Sequence, residues 1–198
     1  MIPEQLLKEY GAQSRAYETG DFIYEEHMGC CSYFQIVSGK VKLNNLSEDG
    51  KEFIQNIFEA PQSFGEVLLF IHEPYPTNAI ALTECTVLEL PEQSFLNLLE
   101  ENPIFSVRIN ENLSRRLYYK MIMSQHIFSK DPVIRIKALM DYFKRTHDTG
   151  HSESGYLIPL TRQQMADLTG LRVETVIRTI KVMEKENLLK IKNRRIYY

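Results

Sequence analysis

The sequence predicts an α+β protein in which an N-terminal antiparallel β-roll is followed by a long helix and a C-terminal winged helix-turn-helix. Three observations predict this order. Turn residues separate short apolar runs through the first half, an unbroken helical pattern begins at Pro103, and two helices joined by a glycine precede a basic C-terminus. The expected parts are residues 1–102, 103–130 and 131–198.

The first half has the pattern of turns and short strands that is typical of an antiparallel roll. Turn residues recur at fairly regular intervals between strand-like runs. These runs are Tyr33 to Val37, Val41 to Leu46, Phe53 to Phe58, and Ala79 to Leu90. Pro91 then opens a short helix that ends near Glu101. This spacing is typical of an antiparallel barrel or roll.

The long helix extends from Pro103 to about Phe128 and has one apolar stripe. The stripe consists of Leu113, Leu117 and Met121, preceded by Ile104, Val107 and Ile109. A helix of this length with such a stripe usually has a partner helix, and the simplest partner is a second copy. We therefore expect a homodimer, with packing of the helix onto its own roll as the alternative.

The chain between the long helix and the C-terminal motif contains a break and a loop. Asp131 is the expected N-cap, and predicted hinge, before a helix that begins at Pro132 and ends near Thr146. Residues Thr149 to Gly155 form a predicted polar loop, and Tyr156 to Leu160 a first wing strand.

A helix-turn-helix follows. Thr161 and Gln164 form a capping box, which fixes the start of the first helix. Gly170 ends that helix because it can adopt the left-handed conformation of a tight turn, and Leu171 then re-enters the core. The second helix is expected from about Arg172 to Glu186. Its inward face consists of Val176, Ile180 and Met183.

The outward face of the second helix combines Val173, Glu174, Ile177 and Arg178. An arginine donates two hydrogen bonds to guanine, a glutamate accepts one from cytosine, and apolar side chains meet thymine methyl groups. This mixture favours a base-reading surface in a DNA major groove. The alternative is an ordinary helical ion pair between Glu174 and Arg178 beside two core residues.

The charge is divided between the two halves of the chain. Residues 1–102 contain five Lys or Arg and 17 Asp or Glu, a net charge of −12, whereas residues 103–198 contain 18 and nine, a net charge of +9. The basic half includes the helix-turn-helix, so DNA binding should weaken with salt. The side chains expected at the DNA backbone are Arg162, Gln163, Arg172, Thr175 and Lys181; Lys185, Lys190, Lys192, Arg194 and Arg195 add positive charge nearby.

The sequence lacks the patterns that are typical of membrane proteins, secreted disulfide-rich proteins and several classes of enzyme. No stretch approaches the roughly 18 uninterrupted apolar residues of a membrane span, and the N-terminus lacks the features of a signal peptide. We therefore expect a cytoplasmic protein with no membrane partner. Three cysteines, two of them adjacent, do not form a disulfide framework. There is no phosphate loop, nucleophile elbow or zinc-protease motif, so we expect no enzymatic activity.

Taken in order, these parts resemble the Crp/Fnr family of bacterial transcription regulators. The resemblance covers nearly the whole chain and is most specific in Phe64-Gly65-Glu66, residues 81–90, Asn102-Pro103, Arg115-Arg116-Leu117, Asp131 with Arg135, and residues 170–178. It implies a cyclic-nucleotide-binding-domain-like sensor roll over 1–102, a dimerisation helix with its hinge over 103–130, and a DNA-binding winged helix over 131–198.

The same resemblance implies the mode of DNA reading. Glu174 and Arg178 would be the base-reading pair on double-stranded promoter DNA, with RNA polymerase as a further partner. Val173 stands where cyclic-AMP-type members have another arginine, which places the chain nearer the Fnr-like members and implies a palindromic TTG-type site. Ile177 replaces the small residue usual in the family.

The resemblance also assigns an effector pocket, with Gly65, Glu66, Thr77, Asn78 and Lys120 as its lining. Members that bind cyclic AMP have an arginine beside the cyclic phosphate, because a buried anion needs a paired guanidinium. The aligned segment here, residues 74–78, has no arginine, and Lys120-Met121 replaces the Thr-Ser that contacts adenine. We therefore expect no response to cyclic AMP.

Other sensing chemistries have little support in the sequence. Oxygen-sensing members hold an iron-sulfur cluster with four cysteines, and this chain has three, so no such cluster is expected. His27, which stands at a turn where the family commonly has glycine, forms a His-x-x-Cys-Cys group with Cys30 and Cys31. This group offers ligands for a metal or haem, or a redox pair. We favour the alternative of two small residues at a strand entrance, because no fourth ligand can be named. No cofactor and no metal site are predicted.

A second class of function stays open at this point. The roll would sense a metabolite and the winged helix would dock a protein instead of DNA. Selection of specific DNA sequences distinguishes the two classes.

Overall fold

The computed structural model describes residues 1–127, 129–147 and 155–198. The chain divides into two compact units, Met1–Ser114 and Arg115–Tyr198. The helices and strands up to the long helix are α1 Glu4–Glu9, β1 Gln13–Tyr17, β2 Phe22–Tyr24, β3 Ser32–Ser38, β4 Lys40–Leu46, β5 Glu52–Glu59, β6 Ser63–Phe64, α2 Glu66–Leu69, β7 Asn78–Ala81, β8 Cys85–Pro91, α3 Glu92–Glu101 and α4 Pro103–Ile127. The remaining elements are α5 Pro132–His147, α6 Arg162–Thr169, α7 Val173–Lys185, β9 Lys190–Lys192 and β10 Arg195–Tyr197.

The first unit is built on two four-stranded antiparallel sheets, with strand orders β1-β8-β3-β6 and β2-β7-β4-β5. In the first sheet Tyr33 pairs with Leu90, and in the second Lys42 pairs with both Ile57 and Ile80. Strands that are neighbours in a sheet are therefore often distant in sequence, as in a roll. The predicted antiparallel β-roll is confirmed.

Two apolar cores lie on opposite faces of the first sheet. One core combines side chains from both sheets, among them Phe34, Phe64 and Val87. The other includes Tyr33 and Leu88 and is covered by α1, α3 and the start of α4. Because neighbouring residues of a strand point to opposite faces, β3 and β8 are apolar on both sides. This explains why the run from Tyr33 to Val37 has large apolar side chains on both faces.

The turn between β3 and β4 requires glycine. Gly39 has a φ of 86°, and a Cβ there would lie 2.3 Å from the carbonyl oxygen of Glu84 and 2.5 Å from Cβ of Cys85. No side chain fits such a space, so the close approach of these two segments depends on Gly39.

Two short helices of the roll were not predicted. Helix α1 has six residues and α2 has four, too few for a helical period to be visible in the sequence. Leu7 of α1 is fully buried against the helix-covered core. Tertiary packing, more than local propensity, therefore holds α1 in place.

The apolar stripe of α4 divides between two environments. Ile109 is buried in the helix-covered core, and Leu113 packs partly against it, so this half of the stripe faces the roll. The prediction that Ile109 shares a free stripe with Leu117 is wrong, because Ile109 lies on the roll-facing side of the helix. Val107, Leu117 and Met121 are 62%, 63% and 56% exposed.

The second unit contains a three-helix core and a two-stranded wing. Helices α5, α6 and α7 bury Ile136, Leu139, Met165, Val176 and Met183 completely. The α4 segment of this unit contacts α5 through Tyr119 and Tyr142, whose rings stack with centroids 3.5 Å apart. The wing consists of β9 and β10, and Tyr156 and Ile158 add backbone hydrogen bonds to Tyr198 and Ile196.

The predicted helix boundaries here agree with the structure to within about two residues, whereas the predicted first wing strand, Tyr156 to Leu160, is wrong, because this segment forms only an isolated bridge between Leu157 and Tyr197. Asp131 caps α5, since its Oδ1 accepts a hydrogen bond from the Val133 N–H at 2.9 Å. Helix α5 then ends at His147, one residue beyond the predicted Thr146. Phe128 and residues 149–154 of the predicted polar loop lie outside the described residues.

Candidate functional site

The helix-turn-helix is fixed by local hydrogen bonds at both ends of α6. Thr161 Oγ1 accepts from the Gln164 N–H at 3.1 Å, and Gln164 Oε1 accepts from the Thr161 N–H at 2.8 Å. At the other end Gly170 has a φ of 66°, and the Leu171 N–H donates to the Ala166 carbonyl at 3.1 Å. The predicted capping box and glycine turn are thus confirmed, although Leu171 is only half-buried.

Helix α7 has one buried and one exposed face. Val176, Thr179, Ile180 and Met183 are buried against α5 and α6. The exposed face forms a shallow depression lined by Glu174, Ile177, Arg178, Lys181, Val182 and Lys185. Four of these six side chains are charged, and three of the four are cationic, so the depression suits an anionic partner with hydrogen-bonding groups.

Glu174 and Arg178 lie one helical turn apart on this face and are both exposed. Neither side chain has an ion-pair or hydrogen-bond partner among the residues that the structure describes. The intrahelical ion pair considered as the alternative is therefore not formed. Both polar groups remain available to a ligand in the free protein.

The two apolar residues of the predicted reading face differ from each other. Ile177 is 42% exposed, a large fraction for an isoleucine in a folded domain. Val173 is half-buried instead of exposed, because it occupies the first turn of α7 next to the inter-helix turn. Only Ile177 offers a broad apolar contact.

The predicted backbone contacts fall into two groups. Arg172, the N-cap of α7, and Lys181 are exposed, and Thr175 is half-buried. Arg162 and Gln163 instead make intramolecular bonds. Gln163 Nε2 donates to Asp167 Oδ1 at 2.8 Å, and the Arg162 guanidinium donates to the Arg194 carbonyl at 2.5 Å. These two side chains have structural roles in the free protein.

The wing is attached to the helices at three points. Glu184 Oε1 of α7 accepts from the Ile191 N–H at 3.1 Å, and Arg162 of α6 contacts the wing tip. At the C-terminus Tyr198 Oη donates to Asp141 Oδ1 of α5 at 2.7 Å. None of the three contacts is visible in the sequence, because each joins residues far apart in the chain or two residues without a recognisable spacing.

The segment before α5, where the hinge is predicted, and the helix-turn-helix share one side chain. Arg135 Nε donates to the Ser129 carbonyl at 2.8 Å, and its Nη1 donates to the Thr169 carbonyl at 3.5 Å. Thr169 is the last residue of α6, next to Gly170. Arg135 therefore connects the segment before α5 with the turn that precedes α7.

The predicted effector residues of the roll lie around an aromatic stack. Tyr24 and Tyr75 are buried and stack with ring centroids 3.6 Å apart. Thr77 is buried, and the Cys30 thiol donates a weak hydrogen bond to the Gly65 carbonyl oxygen over 3.8 Å. Burial raises the pKa of both phenols. The rings of Tyr24 and Tyr75 therefore occupy the space beside the predicted effector residues.

Two more residues assigned to the effector pocket, Glu66 and Asn78, are engaged in the fold. Glu66 is fully buried and accepts from Ser63 Oγ at 3.0 Å, while Asn78 Oδ1 accepts from the Glu26 N–H at 2.9 Å. Lys120 belongs to the second unit, where desolvation lowers the pKa of its ammonium group. The pocket as a whole stays a prediction.

His27, Cys30 and Cys31 do not form a metal site. Across the described ranges, no group of three His, Cys, Asp or Glu side chains is placed to hold a metal ion. Burial raises the pKa of the Cys30 thiol, which lowers its thiolate fraction and therefore its reactivity. Among the same residues, no helix is both long and apolar enough to span a membrane.

Comparison with protein families gives two matches. Residues 14–102 match the model of the cyclic nucleotide-binding domain, and residues 136–198 match that of the Crp-like helix-turn-helix domain. The two matches cover the roll and the winged helix separately and occur in the order that the fold shows.

Individual proteins agree with these matches. The cAMP-activated global transcriptional regulator CRP of Haemophilus influenzae is 28% identical over 186 residues, which are 92% of this chain and 79% of that protein. The transcriptional activator protein Anr of Pseudomonas protegens is 24% identical over 192 residues, 96% of this chain and 78% of that protein. Among solved structures, the c-di-GMP responsive global regulator CLP of Xanthomonas campestris has the same fold, with a TM-score of 0.78, 19% identity and 98% coverage of both chains.

Proposed function

The chain belongs to the Crp/Fnr family of bacterial DNA-binding transcription regulators, and on that premise we propose that it binds a palindromic promoter site as a homodimer. The single observation that carries the proposal is the exposed pair Glu174 and Arg178 on α7. Both side chains lack partners within the described residues, and cationic residues surround them. A surface of this kind satisfies its hydrogen-bonding groups on base edges.

The base contacts follow from the chemistry of that face. The Arg178 fork donates to O6 and N7 of a guanine, and the Glu174 carboxylate accepts from N4 of a cytosine. The exposed Ile177 meets a thymine methyl group. These preferences support a half-site with a TTG-type core, in which thymines lie next to a guanine. Lys181 and Arg172 neutralise phosphates beside the same groove.

The dimer is formed by α4. Val107, Leu117 and Met121 are large exposed apolar side chains, and their spacings of ten and four residues fit alternate a and d positions of a heptad. Two copies of such a helix bury these side chains against each other as in a coiled coil. A two-fold dimer of helix-turn-helix domains contacts half-sites about one DNA turn apart, roughly 34 Å, which accounts for the palindrome.

The signal enters through the roll. A ligand that binds the DNA-competent dimer more tightly shifts the population toward it. Cyclic AMP is not this ligand in our proposal, because segment 74–78 offers no arginine for a buried phosphate. Tyr75 of the same segment is instead stacked on Tyr24. The test is DNA affinity with and without saturating cyclic AMP. An increase that depends on the nucleotide would contradict this part.

Selection of DNA from a random pool with the full-length protein tests the main proposal. We expect enrichment of an inverted repeat with a TTG-type core. Arg178→Ala should lower affinity for that site by roughly tenfold to a hundredfold, the usual contribution of a bidentate arginine. Lys137→Ala, which removes the same charge from an exposed position of α5, is the matched control and should keep nearly full affinity. Unchanged specificity in Arg178→Ala, or no enriched duplex, would overturn the proposal.

A further inference from the structure

The tip of the wing has an unusual backbone. Lys192 pairs with Arg195, so Asn193 and Arg194 are the two residues of the hairpin loop. Both have positive φ angles, 50° and 63°, as a type I′ turn requires. Asparagine is common in such a turn, and the following position strongly favours glycine. This chain has an arginine there.

An arginine in the left-handed region is disfavoured compared with glycine, because its Cβ crowds the backbone. Positions with such strain cluster where a side chain has a function that offsets it. The carbonyl of Arg194 is also held by the Arg162 guanidinium at 2.5 Å, which fixes the tip in place. The exposed Arg194 side chain thus belongs to a loop whose backbone is hydrogen-bonded to α6.

The position of the tip relative to DNA follows from the helix-turn-helix. In this motif the second helix occupies the major groove and the first helix crosses the sugar-phosphate backbone. Arg162 is the first residue of α6, and its contact places the wing tip beside that end of the helix. The tip therefore lies across the backbone from α7, at the adjacent minor groove.

We propose that Arg194 enters the minor groove that flanks each half-site and favours A·T pairs there. Narrow A·T-rich minor grooves have an enhanced negative potential that attracts arginine, and the guanine 2-amino group obstructs G·C pairs. This inference rests on the proposed DNA binding by α7 and adds a second element of sequence specificity outside the TTG-type core.

The test uses the full-length protein and duplexes with one fixed palindrome and three different flanks: A·T, G·C and inosine·cytosine. Inosine lacks the 2-amino group of guanine in the minor groove and keeps the major-groove edge. We expect the A·T and inosine flanks to bind about fivefold or more tightly than the G·C flank, the effect of one unfavourable base pair.

Arg194→Gly isolates the side chain, because glycine accommodates the positive φ better than arginine and the turn should persist. This variant should bind the three flanks equally while it retains the thermal stability of the parent. Lys190→Ala removes the same charge from an exposed position of β9 and should keep the preference.

Three results overturn the inference. In the first, the parent protein binds all three flanks equally. In the second, Arg194→Gly loses affinity uniformly and keeps the flank preference, which indicates that Arg194 contacts only a phosphate. The third is a failure to bind DNA at all. Failure of the parent to bind any duplex overturns the proposed function as well. Equal binding to the three flanks leaves that function intact, so the two failures are distinguishable.

Discussion

Tyr198 donates a hydrogen bond to Asp141, with 2.7 Å between the phenol oxygen and the carboxylate. The bond joins the end of the wing to α5, and the ammonium of Lys144 lies 5.2 Å from the centre of the Tyr198 ring. Residues 57 positions apart in the chain are therefore connected within the second unit.

Replacement of Tyr198 by phenylalanine should destabilise this unit. The change removes one hydrogen bond to a charged group and keeps the ring, so we expect a loss of about 1–2 kcal/mol in the free energy of unfolding. Urea denaturation followed by circular dichroism measures it. Tyr118→Phe, at a position 59% exposed on α4, is the matched control and should change little. Equal stability of the parent and Tyr198→Phe would show that the bond contributes nothing.

Stability should fall at alkaline pH. Burial raises the pKa of Tyr24, Tyr75, Tyr119 and Tyr198 above the ordinary value of 10.0, and for Tyr198 the bond to Asp141 adds to the effect. A raised pKa in the folded state means that the unfolded state loses protons first, so the stabilisation present below pH 10 is lost as the pH rises above it. Urea midpoints from pH 8 to 11 test the sign. A midpoint that rises over this interval would contradict it.

Glu174→Gln should relax specificity at one position of the half-site. The amide keeps the size of the carboxylate but also donates, so it no longer favours cytosine as strongly. We expect discrimination at that base pair to fall by roughly fivefold or more, while binding to unrelated DNA becomes tighter as a negative charge is lost. Competition binding with single-base variants of the site measures both effects. Glu186→Gln, an equal charge change at the exposed end of α7, should leave discrimination intact.

Leu117→Glu should convert the dimer to a monomer. Two glutamates facing each other in the α4 seam would replace a leucine pair with an unfavourable charge pair. Sedimentation equilibrium should show at least about a tenfold weaker dimer, equivalent to about 1.4 kcal/mol. Leu188→Glu makes the same change at another exposed leucine outside α4 and serves as the control. A stable Leu117→Glu dimer would exclude this helix as the interface.

Features with local causes could be predicted from the sequence. The capping box of Thr161 and Gln164, the turn at Gly170 and the cap at Asp131 involve residues no more than a few positions apart, and the structure shows all three. The buried face of α7 follows from a helical period, which α7 is long enough to display.

Features that depend on tertiary contacts could not be predicted. The apolar stripe of α4 does not show which of its residues face the roll, so the burial of Ile109 in the helix-covered core could not be predicted. Helix α1 is too short to show a period, and the bond between Arg162 and Arg194 joins residues 32 positions apart. Single arginines look alike in a sequence whether they contact DNA or a carbonyl.

Arg135 couples the segment before α5 to the helix-turn-helix. One planar guanidinium with fixed donor directions binds the carbonyl of Ser129 and that of Thr169 together. A displacement of Ser129 must either rotate the guanidinium away from Thr169 or break its bond to Ser129. The segment before α5 and the α6–α7 corner thus compete for the same side chain, and a small shift before α5 changes the hydrogen bonding at the turn that precedes α7.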